Sequence, residues 1–214
     1  MFALCFTSLI HILCGNYAKA SAEADELINL ADEKGAAQWK ALGMLAKGFV
    51  LALTGEAPDG VHTITSGFAA AQSTGGTLWT PNFLSYLASA YAELGQFDEA
   101  WRCIGEAMAH VETTKERRWE AEVNRIAGEI ALASSQPDEA AAEAYFERAV
   151  SMARQQQAKS WELRAAMSMA RLWRDQGKRQ QAHELLAPIY GWFTEGFDTL
   201  DLKEAKALLD ELAQ

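Results

Sequence analysis

The side chains in this 214-residue chain that could bind a metal or act as nucleophiles are few and scattered. His11, His62, His110 and His183 fall in four separate stretches, and no Cys-x-x-Cys or Cys/His cluster with zinc spacing occurs. Cys5, Cys14 and Cys103 are an odd, sparse set, which reads as small apolar residues on helix faces in a reducing compartment. Ser66-Gly67 and Ser73-Thr74-Gly75-Gly76 lack the Gly-x-Ser-x-Gly of a nucleophile elbow. Glu120, Glu122 and Glu129 could pair as general acid and base, but their helical setting favours a solvated face. No Gly-x-x-x-x-Gly-Lys-Ser/Thr phosphate loop is present. The expectation is a protein with no catalytic residue, no metal and no cofactor, and hence not an enzyme.

What remains is the chemistry of recognition. Counted from the turn at Gly95, one helix face presents Asn82, Ser85 and Ser89. The equivalent positions further on are Arg125 and Glu129, then Arg164, Met167 and Arg171. A guanidinium offers a rigid fork of donors that fits a carboxylate bidentately, so these residues are the expected lining of a peptide or ligand groove. Ordinary ion pairing, such as Arg125 with Glu129 one turn away, is the competing use of the same arginines. Trp39, Trp79, Trp119 and Trp161 form a ladder with spacings of 40, 40 and 42. Each is expected to fill the same gap between successive units, the alternative being an aromatic rail along a groove.

These side chains must be positioned by helices. Gly15, Gly55 and Gly95 recur every 40 residues, followed by Ser134-Ser135-Gln136-Pro137-Asp138 and then Gly177. Fixed-period turns of this kind mark a solenoid of helix–turn–helix units, each burying its apolar face on its neighbours. Longer helices or longer connecting loops would explain the long period. The pattern divides the chain into repeats at about 1–35, 36–76, 77–114, 115–158 and 159–195, with a capping helix at 199–213. Helices are expected at Phe2–Cys14, Tyr17–Glu33, Ala37–Leu53, Asp59–Ser73, Asp98–Glu112, Trp119–Ala133, Ser160–Gln176 and Gln180–Phe193. The third repeat begins at Leu78, with Thr80 as cap and Pro81 opening the helix. Pro137 opens another, and Asp98 caps the helix after Gly95. Gly43 and Gly48 permit close helix contact, and Phe197 staples the last helix to repeat five.

Ala88, Tyr91, Gly95, Phe97 and Ala100 together resemble the tetratricopeptide repeat (TPR). The resemblance implies an all-α fold: a right-handed superhelical solenoid of about five TPR-like repeats closed by a C-terminal capping helix. A closer similarity rests on Trp119-Glu120-Ala121-Glu122, Arg125, Gly128-Glu129, the run from Ala158 to Ala166, and the run from Tyr190 to Asp198. These resemble the C-terminal repeat region of bacterial proteins in which a class III nucleotide cyclase precedes a signal-transduction ATPase. That resemblance implies a sensor or scaffold module separated from the catalytic domains, which have no counterpart in this sequence.

Asp and Glu outnumber Lys and Arg by 29 to 19, for a net charge of −10. Such a chain does not favour nonspecific nucleic-acid binding, although a local basic patch survives the argument. Met1 to Leu13 is apolar but carries no Lys or Arg before Lys19, so a helix is expected there rather than a signal peptide. No apolar run reaches membrane-spanning length. The reading is a cytoplasmic, non-catalytic scaffold that binds a protein or peptide, not nucleic acid or membrane, with terminal repeats available for homo-oligomerisation. The alternative is a small-ligand sensor, which would need an aromatic-lined pocket with few charges.

Overall fold

The computed structural model describes residues 1–76 and 79–213, and among these every regular element is an α-helix. The expected repeat start at Leu78 lies outside the described residues. The chain divides into two compact units, Met1–His110 and Val111–Gln214.

The first unit contains α1 (Phe2–Leu13), α2 (Tyr17–Glu33), α3 (Ala37–Leu53), α4 (Ala57–Ser73), α5 (Thr80–Glu93) and most of α6 (Phe97–Thr114). From α1 to α5 each helix packs on the next, and α3 also packs on α1 and α5. Between Gly15 and Gly55 the period of 40 comes from helix length: α2 and α3 have 17 residues each and meet at turns of a few residues. Between Gly55 and Gly95, α4 again has 17 residues but α5 has 14 and begins only at Thr80, so a longer connection makes up the difference.

One hydrogen-bonded corner recurs. The Gln96 N–H reaches back to the Tyr91 carbonyl at 2.9 Å, and Gly95 sits between them at φ +71. This is the Schellman closure, which favours glycine because a Cβ strains the left-handed backbone. Asn16 to His11, Ala36 to Ala31 and Glu56 to Leu51 repeat the bond, so corners within and between the expected repeats are built alike. Gln157 takes the glycine position after α8 at φ +53.

Close approach is built in. A Cβ on Gly48 of α3 would stand 2.9 Å from the backbone nitrogen of Ile64 in α4. One on Gly60 of α4 would stand 2.9 Å from the Ala52 nitrogen. The two backbones therefore nearly touch, as Gly48 suggested, while Gly43 makes its close approach to α2, where a Cβ would stand 2.8 Å from Ile28 Cγ1.

The second unit holds α7 (Glu120–Ala133), α8 (Glu139–Gln155), α9 (Lys159–Asp175), α10 (Arg179–Tyr190) and α11 (Leu200–Leu212). Each packs on the next, and α9 also packs on α7 and α11. α11 buries Leu202, Ala205, Leu208, Leu209 and Leu212 in a core with Leu163, Met167 and Leu186, as a capping helix should. Phe197 stacks edge-on against Tyr190 with centroids 5.9 Å apart, supplying the expected staple.

Several helix starts differ from expectation. α4 begins at Ala57, because Pro58 is harmless in a first turn whose N–H groups have no intrahelical partner. α6 begins at Phe97, so Asp98 lies inside the first turn and acts on the helix dipole there. Trp79, in the left-handed conformation at φ +67, occupies the N-cap of α5, and Thr80 is the first helical residue. Asp138, not Pro137, starts α8, accepting the Ala141 N–H at 2.9 Å. α10 stops at Tyr190, shortly after Pro188, rather than at Phe193.

Candidate functional site

In the second unit, charged groups on α7, α9 and α11 are joined by ion pairs within and between the helices. On α7, Glu122, Arg125 and Glu129 occupy one face by their spacing of three and four. Glu122 is buried, which corrects the expectation of a solvated carboxylate. Arg125 grips it as a fork, Nε donating to Oε2 and Nη2 to Oε1, both at 2.8 Å. The same arginine donates through Nη1 to Glu129 Oε1. Glu129 Oε1 also accepts from Ser168 of α9 at 3.0 Å, which ties the two helices together.

Arg164 of α9 lies with Nη1 3.7 Å from Glu122 Oε1 and donates through Nε to Asp201 of α11 at 2.7 Å. Its guanidinium sits over the Trp161 ring, 5.2 Å from the centroid. Further along α9, Arg171 donates to Glu204 at 2.8 Å and Arg174 to Glu211 at 3.0 Å. A row of arginines on α9 thus meets a row of carboxylates on α11. Burial pushes the Glu122 pKa up, but the charge and hydrogen bonds of Arg125 and the charge of Arg164 outweigh it, and the net shift is downward. Glu122 is therefore a fixed negative charge around which arginines are oriented, and is poorly suited to proton transfer.

The sequence-derived lining is partly assembled. Arg125, Glu129 and Arg164 share one network through Glu122, and Arg171 extends the α9 row. Met167 is buried in the core beneath α10 and α11 and lines no open surface. In the first unit Asn82 and Ser85 are buried and Ser89 is half-buried, so Asn82 and Ser85 correct the expectation of groove contacts. The Ser85 hydroxyl donates to the Asn82 carbonyl at 2.8 Å. Both side-chain polar atoms of Asn82 are buried without a hydrogen-bond partner. Asn82 borders a cavity of about 20 Å³ walled by Cys5, Leu42, Phe49, Trp79 and Phe83.

Sequence reading missed Ser168, Asp201 and Glu204, whose partners lie more than thirty positions away. It also missed Glu162, which is buried between Arg154 at 2.8 Å and Lys159 at 2.6 Å. The only signal was spacing: Asp201, Glu204 and Glu211 lie on one face of α11, as Arg164, Arg171 and Arg174 do on α9.

The tryptophans fill gaps. Trp119 and Trp161 meet edge-on at 5.5 Å, Phe6 meets Trp79 at 5.4 Å, and Phe2 meets Trp39 at 6.2 Å. Trp79 and Trp119 are buried, which leaves them unavailable as a rail. Among the described residues no three His, Cys, Asp or Glu side chains are grouped to hold a metal ion, and no helix is long and apolar enough to cross a membrane.

No protein-family model and no curated protein matches this chain. A solved structure does: the nearly identical TPR-like repeats of a Podospora anserina protein described as a kinesin light chain. It is 15% identical, with a TM-score of 0.55 over 98% of this chain and 94% of that one. At that identity the likeness shows the fold alone, and that fold is TPR-like helical repeats.

Proposed function

We propose that this chain is a non-catalytic interaction scaffold that binds a protein or peptide partner. The observation that carries the reading is the arginine row on α9, where three guanidinium groups each hold a carboxylate, two of them on Asp201 and Glu204 and the third on Glu211. A surface that already receives an acidic helix of its own chain has the chemistry to receive carboxylates from a partner at its exposed edge. Arg125, Glu129, Arg164 and Arg171 are the residues assigned to that edge. The repeat fold supports the reading because stacked hairpins present extended surfaces without a catalytic pocket. The resemblance of the segments from Trp119 to Glu129 and Ala158 to Ala166 supports a cytoplasmic bacterial partner with a nucleotide cyclase or signal-transduction ATPase domain.

The test is affinity capture with the full chain as bait, read by mass spectrometry, in parallel with Arg171→Glu. A partner captured by the unmodified chain and lost with Arg171→Glu is the expected result. Equal capture by both baits would refute the assigned surface.

A small-ligand sensor is the second reading. The cavity beside Asn82 favours it, being walled by aromatics and free of charge. Its volume of about 20 Å³ suits one water molecule, which places this reading second.

A further inference from the structure

The second unit carries two adjoining bowls away from the α7–α9–α11 network. One, of about 360 Å³, has a floor of Val150, Met169, Trp173 and Leu185, contributed by α8, α9 and α10. Arg154 and Glu147 stand among the polar residues at its rim. The other, of about 430 Å³, is lined by Arg117, Arg118, Gln155 and Gln156, and no carboxylate lines it. Gln155 belongs to both.

Their chemistry is complementary. In the polar bowl Arg117 is engaged, donating to Glu120 at 2.7 Å, and its carbonyl accepts from Gln156 at 2.8 Å. Arg154 is likewise engaged with Glu162. Arg118 is exposed and pairs with no carboxylate among the described residues. The Gln156 amide donates to the Arg117 carbonyl and the Gln155 amide to Ser151 Oγ at 3.5 Å, so Arg118 is the one charged donor of this bowl that no carboxylate among the described residues answers, in a chain whose net charge is −10. The neighbouring floor is a shallow apolar recess, open on one side, that a short alkyl chain can lie against.

We propose that the two bowls form one site for an amphiphilic anion, a molecule with an apolar chain and a phosphate or carboxylate head. The chain lies on Val150, Met169, Trp173 and Leu185. The head meets Arg118 and the Gln155 carboxamide. The assignment is independent of the scaffold reading, since it uses none of the α9 arginines.

Calorimetric titration of the full-length protein with octyl phosphate, octanoate, octanol and inorganic phosphate tests it. Octyl phosphate or octanoate is expected to bind at least about tenfold more tightly than octanol or inorganic phosphate, because only these engage both bowls. Whichever of the two binds more tightly identifies the head group. Raising the salt concentration weakens their binding and leaves that of octanol unchanged. Arg118→Ala, at an exposed position with no packing role, should lower the affinity about tenfold with the thermal midpoint unchanged, the scale of one lost charge-assisted contact. Leu185→Gln should weaken binding from the apolar side. Equal affinity in Arg118→Ala, octanol binding as tightly as its anionic analogues, or no heat with either anion would overturn the proposal.

Discussion

Replacing Gly48 with alanine, set beside the same change at Gly105, puts opposite signs on one substitution. Both glycines lie inside long helices, α3 and α6, where alanine is favoured over glycine by about 0.5–1 kcal/mol. At Gly105 a new Cβ meets nothing within 4 Å, so that gain should appear as increased stability. At Gly48 the Cβ would sit 2.7 Å from Ile64 Cγ1 and 2.9 Å from the Ile64 backbone nitrogen. The side chain can rotate away, but the backbone cannot move without displacing α4. Overpacking of this kind costs about 1–3 kcal/mol, which exceeds the propensity gain. The expected result is a net loss of up to about 2.5 kcal/mol for Gly48→Ala and a gain of about 0.5–1 kcal/mol for Gly105→Ala. Urea unfolding followed by circular dichroism reads both, and each kcal/mol should also move the thermal midpoint by about 2–4 °C. If the two variants shift in the same direction, α3 and α4 do not approach at backbone contact and the reasoning fails.

Acid should weaken the second unit through Glu122 and Glu162. In each, burial raises the carboxyl pKa, but the basic partners outweigh it and leave it below the ordinary value of 4.5: Arg125 and Arg164 for Glu122, Arg154 and Lys159 for Glu162. A depressed folded-state pKa means stability that is present above about 4.5 and lost as pH falls through the folded value. Urea midpoints measured from pH 7 down to 3 should fall, and Glu122→Gln should be less stable at pH 7 with a shallower acid decline; an unchanged slope would count against the buried pair. Burial pushes the Cys5 and Cys103 thiols up to about 11, so in the native protein Cys14 alone should react promptly with a thiol reagent at pH 8, and three equivalents should appear only on unfolding. Asn82→Leu removes a buried carboxamide that has no partner and should raise stability by about 1–3 kcal/mol. A loss of stability would mean that the carboxamide is bound to water in the adjoining cavity.

Helix positions were readable in the sequence because the period is local. Gly15, Gly55 and Gly95 each end a helix by a backbone bond spanning five residues, and α2 and α3 begin and end where their apolar stripes do. Starts were less clear, since Asp98 and Thr80 are acceptable caps by residue type yet lie inside their helices. The arginine face was half visible. Arg125 with Glu129 is a one-turn pair that spacing reveals, whereas Arg164 with Asp201 depends on how α11 docks on α9. Burial was the least accessible property: Glu122 has the composition of a surface residue, and only the packing of α7 against α9 places it inside. Asn82, Ser85 and Met167 occupy the correct helical register for a groove but are covered by neighbouring elements.

The scaffold reading can be examined by hydrogen–deuterium exchange of the full chain with and without a captured partner. Slowed exchange in α7 and α9, centred on Arg125 to Glu129 and Arg164 to Arg171, is the predicted outcome. Unaltered exchange there, with protection confined to other helices, would contradict the assignment of partner binding to the arginine face.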